Sequence, residues 1–291
     1  MTKGTCDKTE RSAGVTVPDQ GLFEPARVAE HYRRYLQPYL FDPWARRLVE
    51  FAGPRPGQIV LDVAAGTGAV ARAAAAAVGA GGRVIASDIS PAMLSALTAA
   101  VAAEPDSGAA RIETLVCPAT EIDLPDASVD IVFCHQGLPF MPDRVAVARE
   151  MRRVLRPGGT VAVAVWALGE RLEPFDSYAE FVRRNLPDSP FARAMAGGTL
   201  SMTPDGVAAA LAGGGFEQVI ATRERLTVRW PTPGDEARGI AGTPFGPEIA
   251  SLGPDAAAAL LADLAGALAG ADGATVPHPM TAVFGCGTAA R

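Results

Sequence analysis

The sequence predicts an α/β protein: a parallel sheet with helices packed on both faces. Three observations predict it. Between residues 59 and 166 five short apolar runs recur, each of strand length. Helical stretches rich in alanine or amphipathic in pattern lie between them. The chain has 291 residues, 48% apolar and 20% charged, enough to bury a core without disulfide staples. Strands joined through helices give parallel pairing, covered above and below.

Each element follows in order. Residues 1–20 are polar and without period, and a disordered tail is expected there. From Glu24 the pattern is helical, with Val28, Tyr32, Tyr35, Leu36 and Tyr39 near one face. A second helix runs from Pro43 to Ala52 and stops at Gly53-Pro54. Ile59–Val63 is the first strand, followed by a glycine turn and a helix from Val70 to Val78. Arg83–Ser87 is the second strand, and Ser90-Pro91 opens the next helix with serine as its cap. Arg111–Val116 and Val129–Cys134 are the third and fourth strands. A helix from Pro142 to Leu155 is expected to stop at Arg156-Pro157-Gly158-Gly159, before a fifth strand over Thr160–Trp166. Beyond it, Pro174–Leu186 and Pro204–Leu211 read as helices. A strand is expected near Phe216–Arg229, helical stretches between Asp235 and Ala269, and a last strand over Met280–Cys286. The chain thus divides into a tail (1–20), N-terminal lid helices (21–55), a core (56–166) and a cap of helical insertions with the last two strands (167–291).

Composition excludes several functions. The net charge of −6 offers no broad grip on nucleic acid. No apolar run approaches the roughly 20 residues of a membrane span. The polar opening reads as neither signal nor transit peptide. Cys6, Cys117, Cys134 and Cys286 are scattered without a C-x-x-C pair, which points to a reduced, cytoplasmic setting and no structural zinc. No spacing suggests a metal site, and the oligomeric state is not legible. The paired arginines at 33–34, 46–47, 152–153 and 183–184 read as solvated helix faces.

The strongest local signal is Val60-Leu61-Asp62-Val63-Ala64-Ala65-Gly66-Thr67-Gly68, a buried strand ending in a turn of small residues. Such a turn lets a ligand approach the backbone closely. Gly66-Thr67-Gly68-Ala69-Val70-Ala71 fits the G-x-G-x-x-G/A dinucleotide pattern, and Asp88 follows 20 residues after Gly68. Asp62 favours a different ligand. A carboxylate four residues before the first glycine opposes a phosphate and welcomes an ammonium or a sulfonium, both of which S-adenosylmethionine carries.

With three further motifs the chain resembles the class I S-adenosylmethionine-dependent methyltransferases, of the small-molecule type that modifies ubiquinone and menaquinone precursors. They are Ala86-Ser87-Asp88-Ile89-Ser90-Pro91-Ala92-Met93-Leu94, Leu124-Pro125-Asp126-Ala127-Ser128-Val129-Asp130-Ile131-Val132, and Glu150-Met151-Arg152-Arg153-Val154-Leu155-Arg156-Pro157-Gly158-Gly159. The resemblance implies a doubly wound, Rossmann-like sheet of seven strands with an antiparallel last strand, N-terminal helices and a helical lid. It also implies S-adenosylmethionine as cofactor. Asp62 would orient the methionine ammonium. Ala64, Gly66 and Gly68 would line methionine and ribose, and Asp88 would hold both ribose hydroxyls. Ile89 and Met93 would pack on adenine, with Ala119 and Thr120 at its edge. Relatives often carry a glycine at the position of Ala64 and an aspartate at that of Pro118. Asp130 is read as a backbone cap.

The implied activity is methyl transfer to a small organic acceptor, O-methylation first and C- or N-methylation next, in natural-product biosynthesis. A cyclase or pericyclase that keeps the cofactor without spending its methyl is one alternative, and an NAD(P)-dependent oxidoreductase another. His135, directly after the fourth strand, is the candidate catalytic base, because an imidazole titrates near neutrality. Gln136 beside it is expected at the methionine end, and His135 itself is also expected among the cofactor-binding residues. His31, Tyr32, Tyr35, Phe140 and Trp166 are the expected substrate residues, with Phe23, Phe175, Tyr178 and Phe245 as further aromatic wall. His278 is read as structural.

Overall fold

The structure, a computed structural model, describes residues 26–103, 108–189 and 200–290. The expected tail over 1–20 and Phe23 lie outside the described residues. The strands are β1 (Ile59–Val63), β2 (Arg83–Asp88), β3 (Arg111–Val116), β4 (Val129–His135), β5 (Leu155–Ala167), β6 (Ser201–Met202), β7 (Glu217–Val228) and β8 (His278–Thr288). They form one sheet ordered β3-β2-β1-β4-β5-β8-β7, with the short β6 paired to the end of β5. β1 to β5 pair in parallel. β8 runs antiparallel to both β5 and β7. This is the doubly wound sheet expected, its seven-strand path extended by β6.

Alternation along each strand builds two cores. Val60 joins Trp44, Leu48, Ala74, Phe133 and Phe284 on one face. Its neighbour Leu61 joins Val132, Met151, Val163, Leu211 and Val283 on the other. Strand order reverses between β1 and β4, so the chain leaves their carboxyl ends in opposite directions and a crevice forms there.

The helix α5 (Arg144–Val154) is capped by Asp143, whose Oδ1 accepts the Ala146 N–H at 2.8 Å. It does not stop in a loop. Arg156-Pro157-Gly158-Gly159 continues as β5, because Gly158 N–H donates to the Ala289 carbonyl and Ala289 N–H to that of Gly159. Asp130 ties this junction together as a structural acid. It accepts the Ile59 N–H at 2.8 Å and the Arg156 guanidinium at 2.7 Å. The expectation of a solvated face at 152–153 is corrected. Arg153 donates to Glu150, Asp126 and the carbonyls of Ile122 and Leu124, and so stitches the loop before β4 to α5.

The N-terminal region is one continuous helical rod, not two separate helices. α1 (Ala26–His31) passes into a π-helical segment (Tyr32–Phe41) and then into α2 (Asp42–Ala52), which ends on left-handed Gly53. Pro38 lies inside the π segment. The segment packs under a roof made by the second half of the chain. Trp230 Nε1 donates to the Tyr35 carbonyl at 2.6 Å. Gly242 presses so close that an added Cβ would lie 2.5 Å from the Tyr32 nitrogen. In the roof, α8 (Pro233–Gly239) places Glu236 2.7 Å from His278 at the start of β8, and the Tyr178 hydroxyl donates to the Glu236 carbonyl. His278 is therefore architectural, as read from the sequence. Among the described residues no helix is long and apolar enough to cross a membrane.

Candidate functional site

The turn after β1 is shaped by three left-handed residues: Ala64 (φ 56°), Gly66 (φ 55°) and Gly68 (φ 84°). Gly68 must be glycine twice over, since an added Cβ would also lie 2.1 Å from the Leu97 side chain. An added Cβ at Gly66 would meet nothing within 4 Å, so this stretch of backbone faces open space. Asp88, at the end of β2, clamps the turn. Its Oδ2 accepts the Gly66 N–H at 2.8 Å and its Oδ1 the Ser90 N–H at 2.9 Å.

Asp62 is 1% exposed, and neither carboxylate oxygen has a hydrogen-bond donor. Burial pushes its pKa up to about 8, against the lowering effect of the Ala71 backbone amide nearby; the charge of Asp88 adds a smaller push upward. A buried acid without a partner is a costly feature. A bound cation would offset that cost.

His135 lines the same cavity as Asp62. Its Nε2 is sealed from solvent without a partner, and desolvation draws its pKa down to about 3, although part of the ring still borders the cavity. Its ring meets Phe41 edge-on at 6.1 Å. Gln136 adopts φ 60° and is stitched into the sheet. Its N–H donates to the Ala164 carbonyl at 2.7 Å and its Oε1 accepts the Trp166 N–H at 3.0 Å, which leaves Nε2 without a partner.

Between these groups lies a cavity of about 30 Å³, lined by Tyr32, Asp62, Ala64, Ala65, Gly66, Thr67, Ala69, Val70 and His135. That is room for one or two waters. Tyr32 forms part of its wall and stacks on Phe41 at 4.7 Å. Burial and the charges of Asp42 and Asp88 hold the Tyr32 phenol well above its usual pKa. On the adenine side expected beyond Asp88, Ile89 is 44% exposed and Thr120 exposed, while Met93 is buried and Ala119 half-buried.

The expected substrate residues do not converge. Tyr32 lines the cavity, and the others are absent from its wall. Trp166 is buried, packed edge-on against Trp44 at 5.8 Å. The Tyr35 ring is flanked by the guanidinium groups of Arg34 and Arg238 at 5.3 and 5.9 Å. His31 bonds the Arg27 carbonyl through Nδ1 and tilts against Tyr35. Phe140 is half-buried in a short 3-10 turn. Sequence reasoning missed Gln37, Thr67 and Phe41. Thr67 donates its hydroxyl to Gln37 Oε1 at 2.6 Å across 30 residues of sequence, a pairing that no local pattern signals.

The site fits a ligand with a cationic amino-acid end and a ribose: an acid without donors at one end, and a two-oxygen acceptor beside open backbone at the other. Comparison with known proteins agrees. Residues 61–163 match the family model described as "Methyltransferase domain". The chain is 34% identical over 201 residues to nocamycin O-methyltransferase of Saccharothrix syringae, spanning 66% of this chain and 71% of that protein. It is 34% identical over 120 residues to the ubiquinone/menaquinone C-methyltransferase UbiE of Hydrogenovibrio crunogenus, spanning 41% of this chain and 46% of that one. Two solved structures share the fold. One is phosphoethanolamine N-methyltransferase 2 of Haemonchus contortus in complex with S-adenosyl-L-methionine (TM-score 0.54, 20% identity, covering 86% of this chain and 53% of that one). The other is the 4+2 cyclase SpnF (TM-score 0.52, 18% identity, covering 86% and 82%). Family membership decides between the two cofactors that the glycine turn alone leaves open: the chain belongs to the class I S-adenosylmethionine-dependent methyltransferases.

Proposed function

We propose that the protein transfers a methyl group from S-adenosylmethionine to an oxygen of a small organic acceptor in natural-product biosynthesis. The observation that carries this reading is a cavity lined by both Asp62 and His135, each with buried polar atoms that have no hydrogen-bond partner. The similarity to nocamycin O-methyltransferase, over 201 residues, extends further along this chain than the matches to the UbiE C-methyltransferases, over 120 to 180 residues, and supports oxygen as the acceptor. Residues 21–55 and 167–291 serve as lid and cap over the 56–166 core in this reading.

When bound, the cofactor supplies an electrophilic methyl on a sulfonium; the new methyl–oxygen bond forms as the carbon–sulfur bond breaks and its electrons return to sulfur. Asp62 takes the cofactor ammonium, and in doing so gives up the proton that burial makes it hold. Asp88 orients the ribose hydroxyls while keeping the Gly66 turn in place. Ala64, Gly66 and Gly68 let the chain of the cofactor lie against backbone. Ile89, Met93, Ala119 and Thr120 frame adenine. His135 accepts the proton of the acceptor hydroxyl at Nε2. It is neutral across the physiological range because of its burial. Polar atoms admitted to the cavity relieve that desolvation and raise its basicity. Gln136 fixes the β4–β5 spacing behind it.

The test is product mass. Phenolic and enolic acceptors incubated with the protein and S-adenosylmethionine should gain one CH₂ with equimolar S-adenosylhomocysteine. An acceptor isomerised at unchanged mass would make the protein a cyclase. His135→Ala should keep cofactor affinity and lower turnover by about 10²-fold or more. Unchanged turnover removes His135 from proton transfer.

A further inference from the structure

We propose that the Gln37–Thr67 hydrogen bond is an autoinhibitory latch, holding Tyr32 over Asp62 until the cofactor's amino-acid end displaces it. The inference rests on the cofactor reading of this cavity. Gln37 is 1% exposed, and both ends of its amide are used. Oε1 accepts the hydroxyl of Thr67, the residue between the two glycines of the turn, at 2.6 Å. Nε2 donates to Asp42 Oδ1 at 3.1 Å, and Asp42 Oδ2 lies 3.9 Å from Arg72 on α3 (Ala69–Val78), the helix that the turn opens. One buried side chain thus fastens the π segment to the glycine turn and, through Asp42, to the helix behind it.

Tyr32 is five residues earlier on the same segment. It walls the cavity beside Asp62 and Gly66, and it feels the charge of Asp88. The tyrosine therefore walls the space beside Asp62 that is assigned to the cofactor's amino-acid end. The remaining space of about 30 Å³ takes a water or two, not an amino-acid chain with its ammonium and carboxylate. Binding requires Tyr32 to withdraw, and Tyr32 cannot withdraw with its segment without straining the Gln37 contact. The segment suits such movement. It is π-helical over ten residues and carries a proline, an arrangement rare in regular helices and frequent at functional sites.

A latch that favours the closed state lowers apparent cofactor affinity by the fraction of molecules that are open. Removing it should therefore tighten binding, the reverse of what loss of a structural contact does. For Gln37→Leu the expected result is amide exchange over residues 32–41 about 10-fold faster without ligand. S-adenosylhomocysteine should also associate faster and bind up to about 10-fold more tightly; a tenfold change corresponds to ~1.4 kcal/mol, within the range of one buried hydrogen bond. Thr67→Val should act in the same direction and carries the test if Gln37→Leu does not fold. Thr67→Ser, which keeps the hydroxyl, should restore wild-type exchange. Folded variants with unchanged exchange over 32–41, or with weaker binding and slower association, would overturn the latch. Failure of the wild type to bind S-adenosylhomocysteine would strike the cofactor reading instead, and ligand-free exchange would still decide the latch.

Discussion

Two buried acids, one in the floor of the site and one in its roof, are treated in opposite ways. Glu236, in α8, is fully buried; its Oε1 has His278 at 2.7 Å, its Oε2 has no partner, and the Tyr178 hydroxyl donates to its own carbonyl. Asp62, in β1, is equally buried and has no donor. The chain had the means to supply one, since the roof does so with a histidine 42 residues away. A carboxylate that the fold pairs with a buried histidine through one oxygen belongs to architecture. One that the fold leaves unsatisfied beside open backbone is kept for a ligand, and the difference separates the cap from the cofactor floor more sharply than burial does.

The largest expected effect lies in the roof. Glu236→Ala strips His278 of its buried partner and should destabilise the fold by about 3–5 kcal/mol, read as a shift in the urea midpoint. Glu236→Gln keeps an acceptor at Oε1 and should cost much less. A tolerated Glu236→Ala that weakens cofactor binding would place the roof acid in the binding machinery and break the comparison.

The floor predicts the opposite sign. The Asp62 carboxyl has a folded pKa of about 8 against 3.8 unfolded, so the folded state holds its proton more tightly. Its favourable contribution is full below pH 3.8 and fades as the pH rises through 8. Asp62→Asn should remove that fading limb. The variant should be more stable than the wild type at pH 8.5, by a few kcal/mol at ~1.4 kcal/mol per pKa unit, and close to it at pH 4. Denaturation across pH checks this. Cofactor binding to the wild type should release a proton at neutral pH and tighten toward pH 8; calorimetry in buffers of different ionisation enthalpy reads the release, which Asp62→Asn should abolish together with most of the affinity. A destabilised variant at pH 8.5 would mean that Asp62 has a partner in the folded chain.

The floor was legible in the sequence and the roof was not, for a physical reason. Asp62, Gly66, Gly68 and Asp88 lie within one β–turn–α–β stretch, where spacing alone dictates that the second strand's acid meets the first strand's turn. Asp130 was legible for the same cause, as it opens a strand beside β1. The Gln37–Thr67 and Glu236–His278 pairs join segments whose separation in sequence says nothing of their meeting. The π register of 32–41 also escaped, because the apolar stripe of Val28, Tyr32, Tyr35, Leu36 and Tyr39 reads as an ordinary helix. Within that π segment Tyr35 lies beside Arg238, while His31, in the α-helical turn before it, bonds the Arg27 carbonyl instead of lining the cavity.

The smallest expected effect tests where roof and floor touch. Trp230 donates its indole N–H to the Tyr35 carbonyl at 2.6 Å, inside the π segment, and its ring meets His278 edge-on at 5.9 Å. It is thus a direct link from the Glu236–His278 pair to the segment that covers the unsatisfied acid. Trp230→Phe keeps an aromatic ring and loses that one hydrogen bond, which should cost about 1 kcal/mol of stability. If roof and floor are separate devices, the loss should appear in global unfolding and leave exchange over 32–41 unchanged relative to the roof. Faster exchange confined to 32–41 would instead mean that the roof helps to hold Tyr32 down, so that the Glu236–His278 pair contributes, through one indole, to keeping the unsatisfied acid covered.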